Sequence, residues 1–378
     1  MKNKHLILCF TGICAILLSL FSCEKEFNPR DKYKDITIVY GLINPVDTVH
    51  YIRIHKAFLG EESIIVMAKE PDSSLYPVED IDVRIYEIKI DPTTKKRLDS
   101  TQLAVDTKIL EKDKDSGNFY YPKQRVYYFE KIFEKTTVYG EDFYTIDNII
   151  KIEVELKKTG KIVYAETSLV NSFNVTAPRK ESMLNLKPDQ VLSKFIWNNA
   201  KNGRIYDVYY TMYYGEGKDG DPANKYEKKS STWHVGSHSA LKTGDETLQT
   251  ENFSYNPGAF YAHIIRDIPY NKNVWRRPYR EVSLSIWCGS EDFYYYHNIN
   301  DPSQGLLQER PEYTNMRTKI YSEELSAYKE LENEAFGIFS SRIMQKISIL
   351  LSDDMAMKYL PDDELVNRQF IPLPIIED

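Results

Sequence analysis

Apolar and polar residues alternate along much of the first half of the chain, which predicts β-strands with one face in a core and the other in water. Ile81, Val83 and Ile85 alternate with polar neighbours. Residues 150–166 repeat the pattern as two strands joined by a glycine-containing turn. No long helical period interrupts this half of the chain. The pattern therefore predicts a β-sandwich domain over residues 35–175.

A second set of strands is predicted after residue 176, where the alternation breaks at a proline-containing segment. An apolar strand carries Trp197, Asn202-Gly203 predicts a tight turn, and alternate residues of the return strand share one face. This order resembles the opening of a fibronectin-III-like domain. We therefore place a second, β-rich domain at residues 176–378. The residues predicted on the shared face are Tyr206, Val208, Tyr210, Met212 and Tyr214.

Short helices are predicted in this second domain after three serines that can act as N-caps. Ser290 precedes two acidic residues, Ser322 precedes a charged segment over residues 323–332, and Ser352 precedes residues 353–360. The predicted fold is therefore mainly β. It consists of two β-sandwich domains of the immunoglobulin or fibronectin III kind, with a few short helices in the second.

The beginning of the chain has the three-part pattern of a bacterial lipoprotein signal peptide. Two lysines supply positive charge, residues 6–21 are mostly apolar, and Ser22 directly precedes Cys23. This order predicts cleavage before Cys23, whose sulfur then carries diacylglycerol. The apolar segment is shorter than the ~20 residues that a membrane-spanning helix needs. We therefore predict a signal peptide over residues 1–22 and a lipidated tether over residues 23–34.

Charge and cysteine content narrow the function further. Loss of the signal peptide removes 2 of the 49 basic residues and none of the 56 acidic ones, which leaves a net charge of −9. This balance argues against nucleic-acid binding, which favours a clustered basic surface.

Of the four cysteines, Cys288 alone would remain free, so that no intrachain disulfide is expected. Cys288 continues an apolar strand face, which predicts a core position rather than a nucleophile paired with His297.

One segment concentrates the residue types that dominate binding surfaces. Trp275, Arg276, Arg277 and Tyr279 lie just before a predicted strand. Arginine and aromatic side chains combine a large contact area with directional hydrogen bonds, so that these four residues form a candidate binding site. The alternative interpretation is that the arginines pair with neighbouring acids.

Residues 215–239 are polar and glycine-containing, which predicts a long loop or a hairpin. His234 and His238 lie four residues apart in this stretch. That spacing aligns metal ligands only on a helix, so that no metal site is predicted. The sequence also has no hydrolase, phosphate-binding or dinucleotide-binding motif. Neither a catalytic residue nor a cofactor is therefore predicted.

Several short segments together resemble a widespread family of Bacteroidota lipoproteins that share a domain of unknown function. The resemblance lies at residues 23–26, 38–43, 78–83, 292–296, 311–315 and 337–339. Where the family usually has a glycine-rich stretch, residues 316–334 are instead charged and helix-prone. The resemblance implies a β-rich envelope lipoprotein, often encoded beside TonB-dependent outer-membrane receptors. It also implies that Glu24, Lys25 and Glu26 form an export signal to the outer face of the outer membrane.

These features predict a surface-exposed outer-membrane lipoprotein that binds a ligand or a partner as an accessory to a TonB-dependent transporter. Two alternatives stay open. One is a fimbrial or adhesin subunit that exchanges strands between chains. The other is an envelope hydrolase, because the paired carboxylates of glycoside hydrolysis need no fixed spacing in the sequence.

Substitutions in the tether should separate lipidation from export. We expect Cys23→Ala to abolish labelling with a palmitate analogue, because the sulfur is the acylated atom. Replacing Glu24, Lys25 and Glu26 with Ala should preserve the label but protect the protein from external protease on intact cells. Label that persists in Cys23→Ala would contradict the lipidation, and equal protease protection of wild type and triple variant would contradict the export signal.

Overall fold

The computed structural model describes residues 36–57, 64–91, 93–110, 114–117, 119–138, 140–180, 182–222, 225–241, 249–300, 313–361 and 368–371. Cys23, Glu24, Lys25 and Glu26 lie outside the described residues. The described residues belong to one compact unit. The mainly-β prediction is confirmed, because strands dominate the described chain and the helices are short.

Strands β1 to β21 follow one another along the described chain. They are β1 (Thr37–Ile43), β2 (Val49–Lys56), β3 (Ile81–Ile90), β4 (Arg97–Leu103), β5 (Val105–Leu110), β6 (Gln124–Glu130), β7 (Thr136–Val138), β8 (Glu141–Phe143), β9 (Ile149–Leu156), β10 (Lys161–Ser168), β11 (Val175–Ala177), β12 (Met183–Leu184), β13 (Ser193–Asn198), β14 (Ile205–Glu216), β15 (Glu227–Ser239), β16 (Thr250–Tyr255), β17 (Arg277–Gly289), β18 (Arg317–Ser322), β19 (Ala327–Leu331), β20 (Ala335–Leu351) and β21 (Phe370–Ile371).

Short helices lie between these strands. They are α1 (Ile64–Met67), α2 (Pro71–Ser74), α3 (Gly258–Asp267) and α4 (Glu291–Asn300), with a 3₁₀ turn at Val78–Asp80 and a π-helical turn at Met355–Tyr359. Within the described ranges, no helix has both the length and the apolar character to cross a membrane.

Two of the three predicted helices are confirmed together with their serine caps. The Ser290 hydroxyl accepts a hydrogen bond from the Phe293 N–H at 3.4 Å, at the start of α4. The Ser352 hydroxyl accepts one from the Met355 N–H at 3.3 Å, at the start of a short helical segment. These bonds satisfy donors that the first turn of a helix leaves without a partner.

The helix predicted over residues 323–332 is wrong, because this segment belongs to a hairpin. Strands β18 and β19 pair antiparallel around a turn in which Ser326 has φ +47°. Across the pair, Lys319 lies opposite Glu330 and Tyr321 lies opposite Tyr328. These cross-strand contacts outweigh the weak intrinsic helix preference of a charged segment.

Two large sheets dominate the fold. One follows the order β15-β14-β17-β20-β1-β2-β6-β5, with β12 and β21 attached to β20 and β17. The other is six-stranded, with the order β19-β18-β10-β9-β3-β4. Buried residues of both sheets, among them Val39, Ile52, Ile85 and Ile152, belong to one continuous core. Apolar faces of two sheets thus cover each other, as in a sandwich.

The sheets cross the domain boundary predicted at residues 175/176. Strand β1 pairs parallel with β20, and β10 pairs antiparallel with β18. Strands from before and after residue 175 therefore share both large sheets, and the boundary does not separate two sets of strands. Alternation along the chain shows which residues face a core, but it does not show which distant strand lies alongside.

The face patterns predicted for the central strands are confirmed. Tyr206, Val208, Tyr210 and Met212 are buried on one face of β14. Cys288 has no solvent exposure on β17, and burial raises the pKa of its thiol. A buried thiol with a raised pKa is a poor nucleophile, in agreement with its predicted place in the core.

Gly337 permits the close approach of β1 and β20. Its φ is +103°, and a Cβ built on it would lie 2.0 Å from the carbonyl oxygen of Val39. Both the backbone conformation and the contact therefore require glycine at this position.

We expect Gly337→Ala to lower the free energy of unfolding by roughly 2–4 kcal/mol, through the backbone clash and the strained φ together. Gly117→Ala is the matched control, since nothing lies within 4 Å of a Cβ at Gly117. Urea denaturation of the two variants measures the difference. Equal stability of Gly337→Ala and Gly117→Ala would show that β1 and β20 tolerate a side chain at their contact.

Candidate functional site

The segment predicted to bind a ligand is largely buried. Arg277 is only 1% exposed. It donates from Nε and Nη2 to Oε1 of Glu216 at 2.9 and 2.7 Å. It also donates to the carbonyl oxygens of Arg368 and Pro269 and to Oε1 of Gln369, at 2.6, 3.0 and 3.1 Å. These contacts use all five guanidinium N–H groups, so that none is free for a ligand.

The neighbours of Arg277 differ in their access to solvent. Arg276 is buried and donates to the carbonyl oxygens of Asp221 and Pro222. Tyr279 is buried, and burial raises its pKa to about 12. Trp275 alone of the four candidates is exposed, at 58%. For Arg277, the structure agrees with the alternative interpretation of an arginine paired with a neighbouring acid.

His234 and His238 lie on β15 rather than in a loop, and each faces its own carboxylate. Nε2 of His234 lies 3.8 Å from Oδ1 of Asp207. Nε2 of His238 lies 2.8 Å from Oε2 of Glu251. In the part of the chain that the structure describes, no group of three or more His, Cys, Asp or Glu residues is placed to hold a metal ion.

Ser231, His263 and Asp267 form a cluster that has the residue types of a hydrolase triad. The Ser231 hydroxyl lies 2.9 Å from Nε2 of His263 and donates a hydrogen bond to Asp267. In a catalytic triad, the carboxylate instead holds Nδ1–H of the histidine, and Nε2 accepts the serine proton.

The contacts of His263 differ from those of a catalytic triad. Nη2 of Arg266 lies 3.1 Å from Nδ1 of His263. Because arginine only donates, Nδ1 must accept, and the ring proton is assigned to Nε2. Burial also lowers the pKa of His263. Nε2–H therefore donates to Ser231 and is not free to take up its proton.

A cleft of about 440 Å³ lies on the outer face of the larger sheet, beside α4. Its walls come from β1, β20, α4 and the segment before β18. We call it the tyrosine cleft. It is lined by Ile36, Ile38, Tyr40, Ala57, Tyr296, Tyr313, Phe336 and Gly337.

Three phenol groups are the polar part of this otherwise apolar lining. The rings of Tyr40 and Tyr296 meet edge to face, with centroids 6.3 Å apart. Burial raises the pKa of Tyr296 to about 12, and its hydrogen bond with Tyr40 adds to the effect. Burial and the neighbouring Asp292 raise the pKa of Tyr313 as well. Tyr296 and Tyr313 therefore keep their protons at neutral pH, and their hydroxyl oxygens can accept hydrogen bonds.

A hydrogen-bond network behind the cleft holds Tyr313 in place. The Tyr313 hydroxyl donates to Oδ1 of Asp292. Nδ2 of Asn315 donates to Oδ2 of Asp292 at 3.1 Å and to the Phe339 carbonyl at 2.7 Å. The Phe339 N–H donates back to Asn315 at 3.0 Å. The network connects α4 to β20, so that one wall of the cleft is positioned by two elements at once.

A positively charged side chain lies next to the cleft on the same sheet face. Across the β1–β2 pair, Arg53 lies opposite Tyr40 and His55 lies opposite Ile38. Burial lowers the pKa of His55 to about 4, and the charges of Arg53 and Lys114 contribute. We call Arg53 and Lys114 the cationic row, and His55 beside them stays uncharged at neutral pH.

No protein-family model matches the sequence, and no functionally curated protein matches it. The resemblance to Bacteroidota lipoproteins stays a prediction. Residues 38–43, 292–296 and 337–339 from that resemblance contribute Tyr40, Tyr296 and Gly337 to the cleft. Sequence patterns did not single these out as site residues, although recurrent tyrosines in the same short segments were the available signal.

The lowered pKa of His55 predicts a stability that depends on pH. Between pH 6.5 and about 4, the unfolded chain binds a proton at His55 while the native protein does not. The stability that the native protein gains by keeping His55 neutral is fully present above pH 6.5 and is lost as the pH falls to about 4. We expect a loss of up to about 3 kcal/mol in the free energy of unfolding, which His55→Gln should remove. Identical pH profiles of the two proteins in urea denaturation would contradict the burial of a neutral His55.

Proposed function

We propose that the chain is a surface-exposed outer-membrane lipoprotein whose tyrosine cleft binds a small ligand, as an accessory to a TonB-dependent transporter. It is proposed as a binding protein rather than an enzyme. The pattern ending at Cys23 and the charged residues at 24–26 support the location. The convergence of Tyr40, Tyr296 and Tyr313 on one open cleft carries the proposal of binding.

The composition of the cleft suits a ligand with an apolar body. Small-molecule sites are mostly apolar concavities of ~300–1,000 Å³ with a few polar groups that orient the ligand. Ile36, Ile38 and Phe336 supply apolar surface in the tyrosine cleft, and the phenol groups supply polar contacts. Aromatic rings also gain ~0.5–1.5 kcal/mol from packing against another ring beyond the area they bury. An aromatic or flat apolar ligand would use both kinds of contact.

The neutral fluorophore N-phenyl-1-naphthylamine is a suitable probe for this site. We expect saturable binding with a fluorescence increase in the wild type. Tyr40→Ala should weaken the affinity about tenfold, the effect of losing one central aromatic contact. Ala57→Trp should abolish binding, because the new side chain occupies the cleft.

Tyr51→Ala is the matched control, because Tyr51 is exposed to a similar extent on the same sheet face but does not line the cleft. Tyr40 is 38% exposed and Tyr51 is 44% exposed. The control variant should bind the probe as the wild type does. Equal affinities for Tyr40→Ala and Tyr51→Ala, or binding that survives Ala57→Trp, would contradict the proposed site.

A further inference from the structure

We infer that the ligand of the tyrosine cleft carries an anionic group, and that Arg53 of the cationic row binds this group beside the apolar body. The inference rests on the proposed function, since it names the ligand class of the same cleft. The anionic group is a carboxylate, a sulfonate or a phosphate, which a guanidinium binds through two parallel N–H···O bonds.

The register of the β1–β2 pair places the guanidinium of Arg53 within reach of the cleft. Tyr40 and Arg53 are direct cross-strand partners, as are Ile38 and His55. Side chains of such partners project from the same face of the sheet, with Cβ atoms ~4.5–5.5 Å apart. Tyr40 and Ile38 line the cleft. An arginine one strand away can therefore contact a group bound against Tyr40.

The side chain of Arg53 is half-buried, and its guanidinium has no hydrogen-bond or ion-pair partner among the described residues. Its Nε is buried without a hydrogen bond. Two other strand arginines pair with a carboxylate through a terminal guanidinium nitrogen: Arg84 with Glu155 at 2.9 Å, and Arg97 with Glu166 at 2.5 Å. A buried donor without a partner is unfavourable, so that a bound anion would supply the missing interaction.

Lys114 adds positive charge to the surroundings of Arg53. Lys114 and Arg53 both act to lower the pKa of His55, and Arg53 also lowers that of Lys114. Nζ of Lys114 donates to the Tyr120 carbonyl at 2.6 Å, which is a neutral acceptor. Like charges held together at a partly buried surface create a local potential that attracts an anion.

Two probes that share one aromatic framework separate the anionic contact from the apolar one. The neutral probe is N-phenyl-1-naphthylamine, and 8-anilinonaphthalene-1-sulfonate adds a sulfonate to the same framework. We expect the wild type to bind the sulfonate about tenfold more tightly than the neutral probe. Arg53→Met should remove this advantage and change the affinity for the neutral probe less than twofold.

Arg84→Met is the matched control, because Arg84 is also a partly buried strand arginine but pairs with Glu155 in the other sheet. It should leave the affinities for both probes unchanged. Raising the salt concentration should weaken the binding of the sulfonate more than that of the neutral probe, since ions screen the charge contact.

The outcomes distinguish this inference from the proposed function. If neither probe depends on Tyr40 or is blocked by Ala57→Trp, the proposed function fails. If the neutral probe binds in the cleft but the sulfonate binds no better, or if Arg53→Met leaves the sulfonate affinity unchanged, the inference of an anionic ligand is overturned.

Displacement of the sulfonate by dodecanoate would indicate a soluble anion, and displacement by phosphatidylglycerol vesicles would indicate a lipid headgroup. Displacement by inorganic phosphate alone would contradict an apolar body.

Discussion

The parallel pairing of β1 with β20 is the contact on which the rest of the structure depends. It runs from the Thr37–Ala335 pair to the Ile43–Ser341 pair and joins the first described strand to the longest one. The contact completes the larger sheet, and it brings Tyr40 next to Gly337 and Phe336. A loss of this pairing would therefore remove the floor of the tyrosine cleft and leave two strand edges without partners.

Buried Arg277 and half-buried Arg53 show that an arginine side chain can stabilise the fold at one position and lack a partner within the described chain at another. Every donor of Arg277 is satisfied by groups of the chain, so that this residue fixes β21 and Glu216 against β17. Breaking such a buried ion pair typically costs ~3–5 kcal/mol. Arg53 has no comparable partner in the described ranges. A count of arginines in the sequence does not separate these roles, because the difference lies in what the fold places around each guanidinium.

Local features of the fold were predictable from the sequence, and distant contacts were not. Alternation identified β3, β9, β10 and β14, and Ser290 marked the start of α4. The hairpin of β18 and β19 was missed because its cross-strand partners, not its composition, determine its conformation. The cleft was missed for a related reason. Tyr40 and Tyr296 lie 256 residues apart, and only the topology of the sheet brings them together.

With Cys23 lipidated as proposed, the position of Ile36 in the cleft wall would limit how far the cleft can stand from the membrane. Ile36 lies thirteen positions after Cys23, and a fully extended chain spans at most ~3.3–3.6 Å per residue, or about 45 Å in all. The mouth of the cleft would then sample only a thin layer above the bilayer. Two proteins anchored in one membrane are confined to the same thin layer, which raises the concentration of each that the other meets. A receptor in the same membrane could then take over the ligand through a contact too weak to persist between free proteins.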